Sequence, residues 1–125
     1  MARILIAEDE QALCALCARA LTTQGHEVET ACDGSDALEL LVRENGRFDL
    51  LLTDIRMPIM DGIALALAAA RDFPDLTIVL MTGYADQRER AHGLEAIVYD
   101  VLAKPFSVVA LRDAVNEALA VGARN

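Results

Sequence analysis

The sequence lacks a long hydrophobic run, a low-complexity segment and an excess of basic residues. No apolar stretch approaches the about 20 residues that a membrane-spanning helix needs, so no membrane partner is expected. Lysine and arginine total 11 against 20 aspartate and glutamate residues, and the formal net charge is −9 at pH 7. Because nucleic acids are polyanions, this charge argues against nucleic-acid binding.

Cysteine is also scarce, with only Cys14, Cys17 and Cys32. Cys14 and Cys17 have the spacing of a redox pair, but they fall inside a predicted helix, whereas reactive pairs lie at a helix start. A zinc site would need further cysteine or histidine ligands at suitable spacing. We therefore expect free thiols in a reducing compartment. The N-terminus leads directly into an apolar run without a signal peptide, so the expected location is the cytoplasm.

The sequence does contain a regular alternation of apolar runs and helical patterns. With 125 residues, 54% of them hydrophobic, the chain is long enough for one domain with a packed core. The predicted strands cover residues 3–8, 26–31, 48–53, 76–81 and 97–103. The predicted helices cover residues 11–24, 35–46, 63–71 and 86–95, followed by a last helix. Ser35 is the predicted cap of the second helix, and Ser107 that of the last. This alternation predicts an α/β fold, a three-layer sandwich of a five-stranded parallel sheet and five helices. The domain is expected to span residues 1–121, followed by a loose tail at 122–125.

Polar residues follow or end four of these strands. They are Glu8, Asp9, Asp54, Thr82 and Lys104. Because ligands of open parallel sheets bind outside the carboxyl ends of the strands, we expect these side chains to line one pocket. Three carboxylates in one place repel each other unless a cation lies among them. Few, hard oxygen ligands suit Mg²⁺, and the backbone carbonyl of Arg56 offers another oxygen.

Each of the other positions in this pocket has a predicted role. Asp54 is placed to attack a phosphoryl group as a nucleophile. Thr82 ends a strand and offers a hydroxyl to a phosphoryl oxygen, and Gly83 leaves room for close approach. Lys104 is predicted to pair with Asp54 or with its phosphoryl oxygens. A cis bond before Pro105 would turn the chain tightly and aim the lysine inward.

These motifs together resemble the receiver domain of two-component response regulators. The resemblance covers essentially the whole chain and rests on four motifs, with intervals of 28 residues from Asp54 to Thr82 and 22 from Thr82 to Lys104. The motifs are Glu8-Asp9, the loop DIRMPIMDG at 54–62, Thr82-Gly83 and Lys104-Pro105-Phe106.

The resemblance implies a phosphorylation-dependent switch with no substrate of its own. Asp54 would accept a phosphoryl group from a histidine kinase or phosphotransfer protein, with Mg²⁺ held by Glu8, Asp9 and Asp54. A response of Thr82 and Lys104 would then change binding of a downstream protein. The family implies a CheY-like sheet order of 2-1-3-4-5. Partners, or a second copy in a weak dimer, would use the face of the fourth predicted helix, the fifth strand and the last helix.

The sequence departs from the family at one switch position. Many receivers carry an aromatic residue three places before the lysine, where this chain has Val101. Tyr99 lies two residues earlier, and Tyr84 supplies an aromatic after Gly83, so the usual aromatic switch is in doubt. In this family the positions of Arg56 and Tyr84 border the path of hydrolytic water. We hypothesise that these two bulky residues slow decay of the phosphorylated form.

Two alternatives concern the extent of the protein. The opening segment, the loop at 53–55 and the segment 101–106 resemble stand-alone bacterial cell-cycle receivers that help direct a protease, so the downstream target would include protease machinery. The chain would otherwise be the receiver of a larger response regulator or hybrid kinase.

An enzyme is the alternative from another functional class. Aspartyl-phosphate phosphatases of the haloacid dehalogenase type resemble this pocket but carry a second aspartate two residues after the nucleophile, where this chain has Arg56. A nucleotide carrier would need a phosphate-binding loop after the first strand, where Glu8, Asp9 and Glu10 would repel phosphate. The protein is therefore expected to take part in phosphoryl transfer and self-dephosphorylation without being an enzyme.

Overall fold

The structure, a computed structural model, describes residues 1–83 and 93–124. Within these ranges five strands form one parallel sheet in the order β2-β1-β3-β4-β5, which confirms the predicted fold and strand order. The elements in chain order are β1 (Arg3–Ala7), α1 (Gln11–Thr22), β2 (Glu27–Ala31), α2 (Gly34–Arg43), β3 (Leu50–Asp54), α3 (Gly62–Asp72), β4 (Thr77–Thr82), β5 (Asp100–Ala103) and α4 (Val108–Arg124).

The described residues contain four helices, whereas five were predicted. The missing one is the predicted helix 86–95: residues 86–92 lie outside the described ranges, and residues 93–95 are not helical. At the other end, α4 continues to Arg124, so residues 122–124 are helical where a loose tail was predicted. None of the helices in the described ranges is long and apolar enough to cross a membrane.

Apolar side chains cover both faces of the sheet, because alternate residues of a strand point to opposite sides. Leu5 and Leu51 lie in a buried cluster with residues of α2 and α3. Ile4 and Leu50 lie in a second cluster with residues of α1 and α4. All four side chains are fully buried, and each such burial stabilises the fold by roughly 1.5–3 kcal/mol. Two cores of this kind hold the central strands rigidly in register.

Side-chain caps precede α2, α3 and α4 but not α1, and the cap of α2 differs from the prediction. Ser107 caps α4 as predicted, because its Oγ accepts a hydrogen bond from the Ala110 N–H at 3.0 Å. The cap of α2 is Asp33, whose Oδ1 accepts from the Asp36 N–H at 2.8 Å, and Ser35 lies inside the helix. Either side chain satisfies the preference for a short polar acceptor at this position, so the pattern predicted the helix but not its first residue.

Gly62 brings the start of α3 against the end of β3. Its N–H donates to the Ile55 carbonyl at 2.8 Å, and a Cβ at this position would collide with the backbone carbonyl of Asp54. Asp61 caps the same helix by accepting from the Ala64 N–H at 2.8 Å. The loop after β3 is therefore folded back tightly on Asp54.

We expect Gly62→Ala to lower the free energy of unfolding by about 2 kcal/mol, because backbone atoms must move to admit the methyl group. Without this close approach the same change would stabilise a helix by roughly 0.5–1 kcal/mol. Urea denaturation of the wild-type and Gly62→Ala proteins gives the difference in their free energies of unfolding. The sign of this difference tests the close packing. A gain in stability would contradict it.

Candidate functional site

The strand register places the predicted site residues side by side at the carboxyl edge of the sheet. Ala7 pairs with Thr53, and Thr82 pairs with Ala103, so Glu8, Asp54, Thr82 and Lys104 end or follow adjacent strands at one level. A cleft opens at this edge, and its lining includes Glu8, Asp9, Asp54, Arg56, Gly83, Lys104 and Pro105.

Lys104 joins the two buried carboxylates of the cleft. Its Nζ donates a hydrogen bond to Glu8 Oε1 at 2.9 Å and lies 3.2 Å from Asp54 Oδ1. The Lys104 N–H also donates to the Thr82 carbonyl at 2.7 Å, which ties the end of β5 to β4. The sequence predicted the contact with Asp54, and the contact with Glu8 is a further finding.

Burial is the largest single influence on the pKa values of Glu8 and Lys104. Burial raises the pKa of Glu8 from an ordinary 4.5 to about 7, even though hydrogen bonds from Lys104 and from the Glu10 N–H favour its ionised form. Burial alone would lower the pKa of Lys104, but the hydrogen bond to Glu8 and the charge of Asp54 outweigh it, so the pKa is raised. Lys104 therefore stays protonated at neutral pH, while Glu8 titrates there.

Asp54 is held in one orientation at the end of the fully buried strand β3. Only about 5% of the residue is exposed, and Oδ1 accepts a hydrogen bond from the Ile55 N–H at 2.9 Å. The Thr53 hydroxyl donates to the Asp54 carbonyl at 2.9 Å, and Gly62 packs against that same carbonyl. A carboxylate with its backbone fixed in this way is oriented before any ligand arrives.

Three carboxylates of the cleft are close enough to share one cation. Ligand oxygens of Glu8, Asp9 and Asp54 lie within 4.8 Å of one another. Three ionised carboxylates against the Lys104 ammonium leave an excess of negative charge, and an all-oxygen set suits a hard divalent cation. The donor set therefore fits a metal of this class.

Thr82 carries a buried hydroxyl without a hydrogen-bond partner in the described residues. The residue is about 1% exposed, and its Oγ1 makes no hydrogen bond there. Leaving a buried hydroxyl unsatisfied costs about 1–3 kcal/mol. An incoming anionic oxygen at this edge would recover that free energy, so Thr82 is suited to bind one.

The other predicted positions divide into two groups. Arg56, Gly83 and Pro105 line the cleft, and the Lys104–Pro105 bond is cis, as predicted. Tyr99 and Val101 lie elsewhere: they are 40% and 38% exposed and do not line the cleft. Tyr84 lies outside the described residues.

An apolar wall of the cleft was not predicted. It consists of Leu13, Leu16 and Phe106, and Leu16 is 47% exposed. The signals were present in the sequence, since Leu13 and Leu16 lie three apart on α1 and Phe106 follows the Lys-Pro pair. Helical spacing does not show which residues border a site, so the sequence alone does not distinguish these two leucines from the core of the helix.

Comparison with known proteins gives consistent results across most of the chain. A family model for the response regulator receiver domain matches residues 4–116. The chain is 43% identical over 117 residues to the response regulator receiver protein CpdR of Brucella abortus, covering 94% of this chain and 93% of that protein. It is 33% identical over 118 residues to the sensor kinase CckA of the same organism, covering 94% of this chain but only 12% of the kinase.

Solved structures with this fold include one protein from Methanospirillum hungatei and one from Thermotoga maritima. A CheY-like receiver domain protein of Methanospirillum hungatei superposes with a TM-score of 0.88 at 30% identity, covering 98% of this chain and 96% of that one. The response regulator TrrA of Thermotoga maritima, solved in complex with Mg²⁺ and BeF, superposes with a TM-score of 0.83 at 29% identity, covering 94% and 99%.

We expect Glu8→Gln to stabilise the metal-free protein at high pH. Because the pKa of Glu8 is raised on folding to about 7, its favourable contribution is complete below pH 4.5 and is lost as the pH rises through 7. Above that pH the ionised carboxylate destabilises the fold by about 3 kcal/mol. Urea denaturation in EDTA should show a gain of this size at pH 8 and little difference at pH 4.5.

The matched control is Glu10→Gln, at an exposed neighbouring position, which should change stability by less than about 0.5 kcal/mol. Equal stability of wild-type and Glu8→Gln proteins at pH 8 would contradict the burial of an ionised Glu8.

Proposed function

The chain belongs to the response regulator receiver domain family, as its sequence motifs predicted, and from that premise we propose that Asp54 is its phosphoacceptor. The observation that carries the proposal is the convergence of Asp54 with Lys104 and two further carboxylates in one cleft. In the transfer step a carboxylate oxygen of Asp54 bonds to phosphorus. The bond from phosphorus to the donor histidine nitrogen breaks, and the imidazole leaves with the electron pair.

We propose that Glu8, Asp9 and Asp54 hold Mg²⁺, with the Arg56 backbone carbonyl as a further ligand. The proposal is supported by the clustering of the three carboxylates, and Arg56 lines the same cleft. Bound Mg²⁺ supplies positive charge close to the phosphoryl oxygens. Glu8 must release its proton to become a ligand, and Lys104 already favours the ionised form.

Lys104 and Thr82 are proposed to bind the oxygens of the phosphoryl group. The Lys104 ammonium would leave its hydrogen bond with Glu8 and its ion pair with Asp54 and bind the new, more negative group. The unpartnered Thr82 hydroxyl would donate to another of its oxygens. Because Gly83 follows Thr82 directly, a shift of Thr82 would be passed to the residues after β4, which is the proposed switch.

The phosphodonor is proposed to be a histidine kinase or phosphotransfer protein, acting in the cytoplasm, and the output is binding of a downstream protein. Receivers occur within or beside such kinases, and a kinase relative contains a segment 33% identical to this chain. Val101 of β5 and Tyr99, which directly precedes this strand, are proposed as part of the output surface, since both side chains are accessible next to the pairing of β5 with β4. The domain itself needs no further catalytic group beyond those that transfer and hydrolyse its own phosphoryl group.

Phosphorylation of Asp54 can be tested with phosphoramidate, a small phosphodonor, in the presence of Mg²⁺. Intact-mass spectrometry should show one added phosphoryl group on the wild-type protein and none on Asp54→Asn, and EDTA should abolish the labelling. Asp75→Asn, an exposed aspartate away from the cleft, serves as the matched control and should label normally. Persistent labelling of Asp54→Asn at the wild-type level would exclude Asp54 as the phosphoacceptor.

We expect Arg56→Ala to shorten the lifetime of the phosphorylated form several-fold. Arg56 lines the cleft and is exposed, so its side chain is placed to restrict access of hydrolytic water. The decay is followed by intact mass after removal of the phosphodonor, with Arg71→Ala on α3 as a control that should decay like wild type. An unchanged lifetime for Arg56→Ala would contradict this role. Tyr84, the second residue of the hypothesis, lies outside the described residues.

A further inference from the structure

Thr53 places a hydroxyl in an apolar part of the core, directly before Asp54. The residue is fully buried, and in the sheet register it pairs with Ala7 of β1 and with Leu80 of β4. Both of these residues belong to the buried cluster that includes residues of α2 and α3. Because burying a hydroxyl is unfavourable, an apolar side chain would suit this position better if packing alone mattered.

The Thr53 side chain lies on the opposite face of the sheet from the carboxylate of Asp54. Side chains alternate along a strand, so Thr53 faces the same cluster as Leu51, two residues earlier. The Asp54 carboxylate instead lies in the cleft, 3.2 Å from Lys104 Nζ. The hydroxyl therefore does not reach the cleft, and any effect it has there passes through the backbone.

One peptide group connects the Thr53 hydroxyl to the Asp54 carboxylate. The hydroxyl donates a hydrogen bond to the Asp54 carbonyl at 2.9 Å. The N–H of the same peptide group, which belongs to Ile55, donates to Asp54 Oδ1 at 2.9 Å. Because a peptide group is a rigid plane, its carbonyl and its N–H turn together. A hydrogen bond that fixes the carbonyl therefore also fixes the N–H that orients the carboxylate.

The Ile55 N–H is shared between two acceptors, which makes its direction important. It donates to Asp54 Oδ1 and also to the Met81 carbonyl of β4 at 3.2 Å. A small rotation of the peptide group shifts this N–H from one acceptor towards the other. Gly62 packs against the Asp54 carbonyl and limits its movement on one side, while the Thr53 hydroxyl holds it by a hydrogen bond.

We propose that Thr53 is a positioning residue for phosphoryl transfer. Its hydroxyl fixes the peptide group between Asp54 and Ile55, and this peptide group holds the carboxylate in the orientation that attacks phosphorus. The inference rests on the proposed phosphoacceptor role of Asp54, and Thr53 acts only through that residue. A misplacement of reacting groups by about 1 Å slows a reaction by up to about 100-fold, so a smaller tilt of the carboxylate should slow it by roughly tenfold.

The test compares two pairs of proteins that differ in the hydroxyl at position 53. Thr53→Val replaces the hydroxyl of the wild-type protein by a methyl group, and Thr53→Ala lacks the hydroxyl that Thr53→Ser retains. The initial rate of labelling by phosphoramidate in excess Mg²⁺ is followed by intact mass, after urea denaturation has shown that each protein is folded. We expect Thr53→Val to be labelled about tenfold more slowly than wild type, and Thr53→Ala about tenfold more slowly than Thr53→Ser.

The second pair separates the hydroxyl from packing, because both of its members lack the methyl group of threonine. A role in packing alone would give Thr53→Ser and Thr53→Ala the same rate of labelling. This pair also decides the question if Thr53→Val does not fold. Equal rates within the folded pairs would overturn the proposal.

A second measurement needs no phosphodonor. Amide hydrogen exchange, followed by NMR in EDTA, should be roughly five- to tenfold faster at Ile55 in Thr53→Val than in wild type, with no change at Leu51 in the same strand. Unchanged exchange at Ile55 would overturn the link between the hydroxyl and the peptide group. A wild-type protein that is not labelled at Asp54 would refute the phosphoacceptor role and the positioning role with it, whereas the exchange rates would still decide whether that link exists.

Discussion

Lys104 donates a hydrogen bond to Glu8 and lies 3.2 Å from Asp54, so one ammonium offsets two buried carboxylates at the edge of the sheet. Asp9 adds a third carboxylate to the same cluster. The ammonium neutralises only part of this charge, and burial makes the remainder unfavourable, as the raised pKa of Glu8 shows. The cluster therefore carries an excess of negative charge, which a divalent cation held by the three carboxylates would offset.

The rigid parallel sheet is what makes such a concentration of charge possible. β1 and β3 are buried on both faces, and their apolar side chains stabilise the sheet enough to tolerate unfavourable groups at its end. Gly62 turns the chain back against Asp54, and the buried Thr82 hydroxyl has no partner in the described part of the chain. Free energy stored in ionised, crowded and unpartnered groups is recovered when a ligand binds, which is a physical basis for a switch between two states.

Much of this arrangement could be predicted from the sequence, because the carboxyl ends of parallel strands share one edge. That rule alone predicted a common location for the site residues Glu8, Asp54, Thr82 and Lys104. The contact of Lys104 with Glu8 could not be predicted, since it depends on side-chain rotamers and on burial. Likewise, periodicity could not distinguish the wall residues Leu13 and Leu16 from ordinary core. The features that could not be predicted depend on contacts between elements distant in the sequence, because propensity and spacing describe only local structure.

The most direct test of the account is a crystal structure of the protein with Mg²⁺ and beryllofluoride, a stable mimic of a phosphoryl group. The account predicts beryllium bonded to a carboxylate oxygen of Asp54 and Mg²⁺ coordinated by Glu8, Asp9 and Asp54. It further predicts that Lys104 Nζ and Thr82 Oγ1 both contact fluorine atoms. Beryllofluoride bound to a different residue, or a complex in which Lys104 keeps its hydrogen bond to Glu8 and Thr82 stays unpartnered, would contradict it.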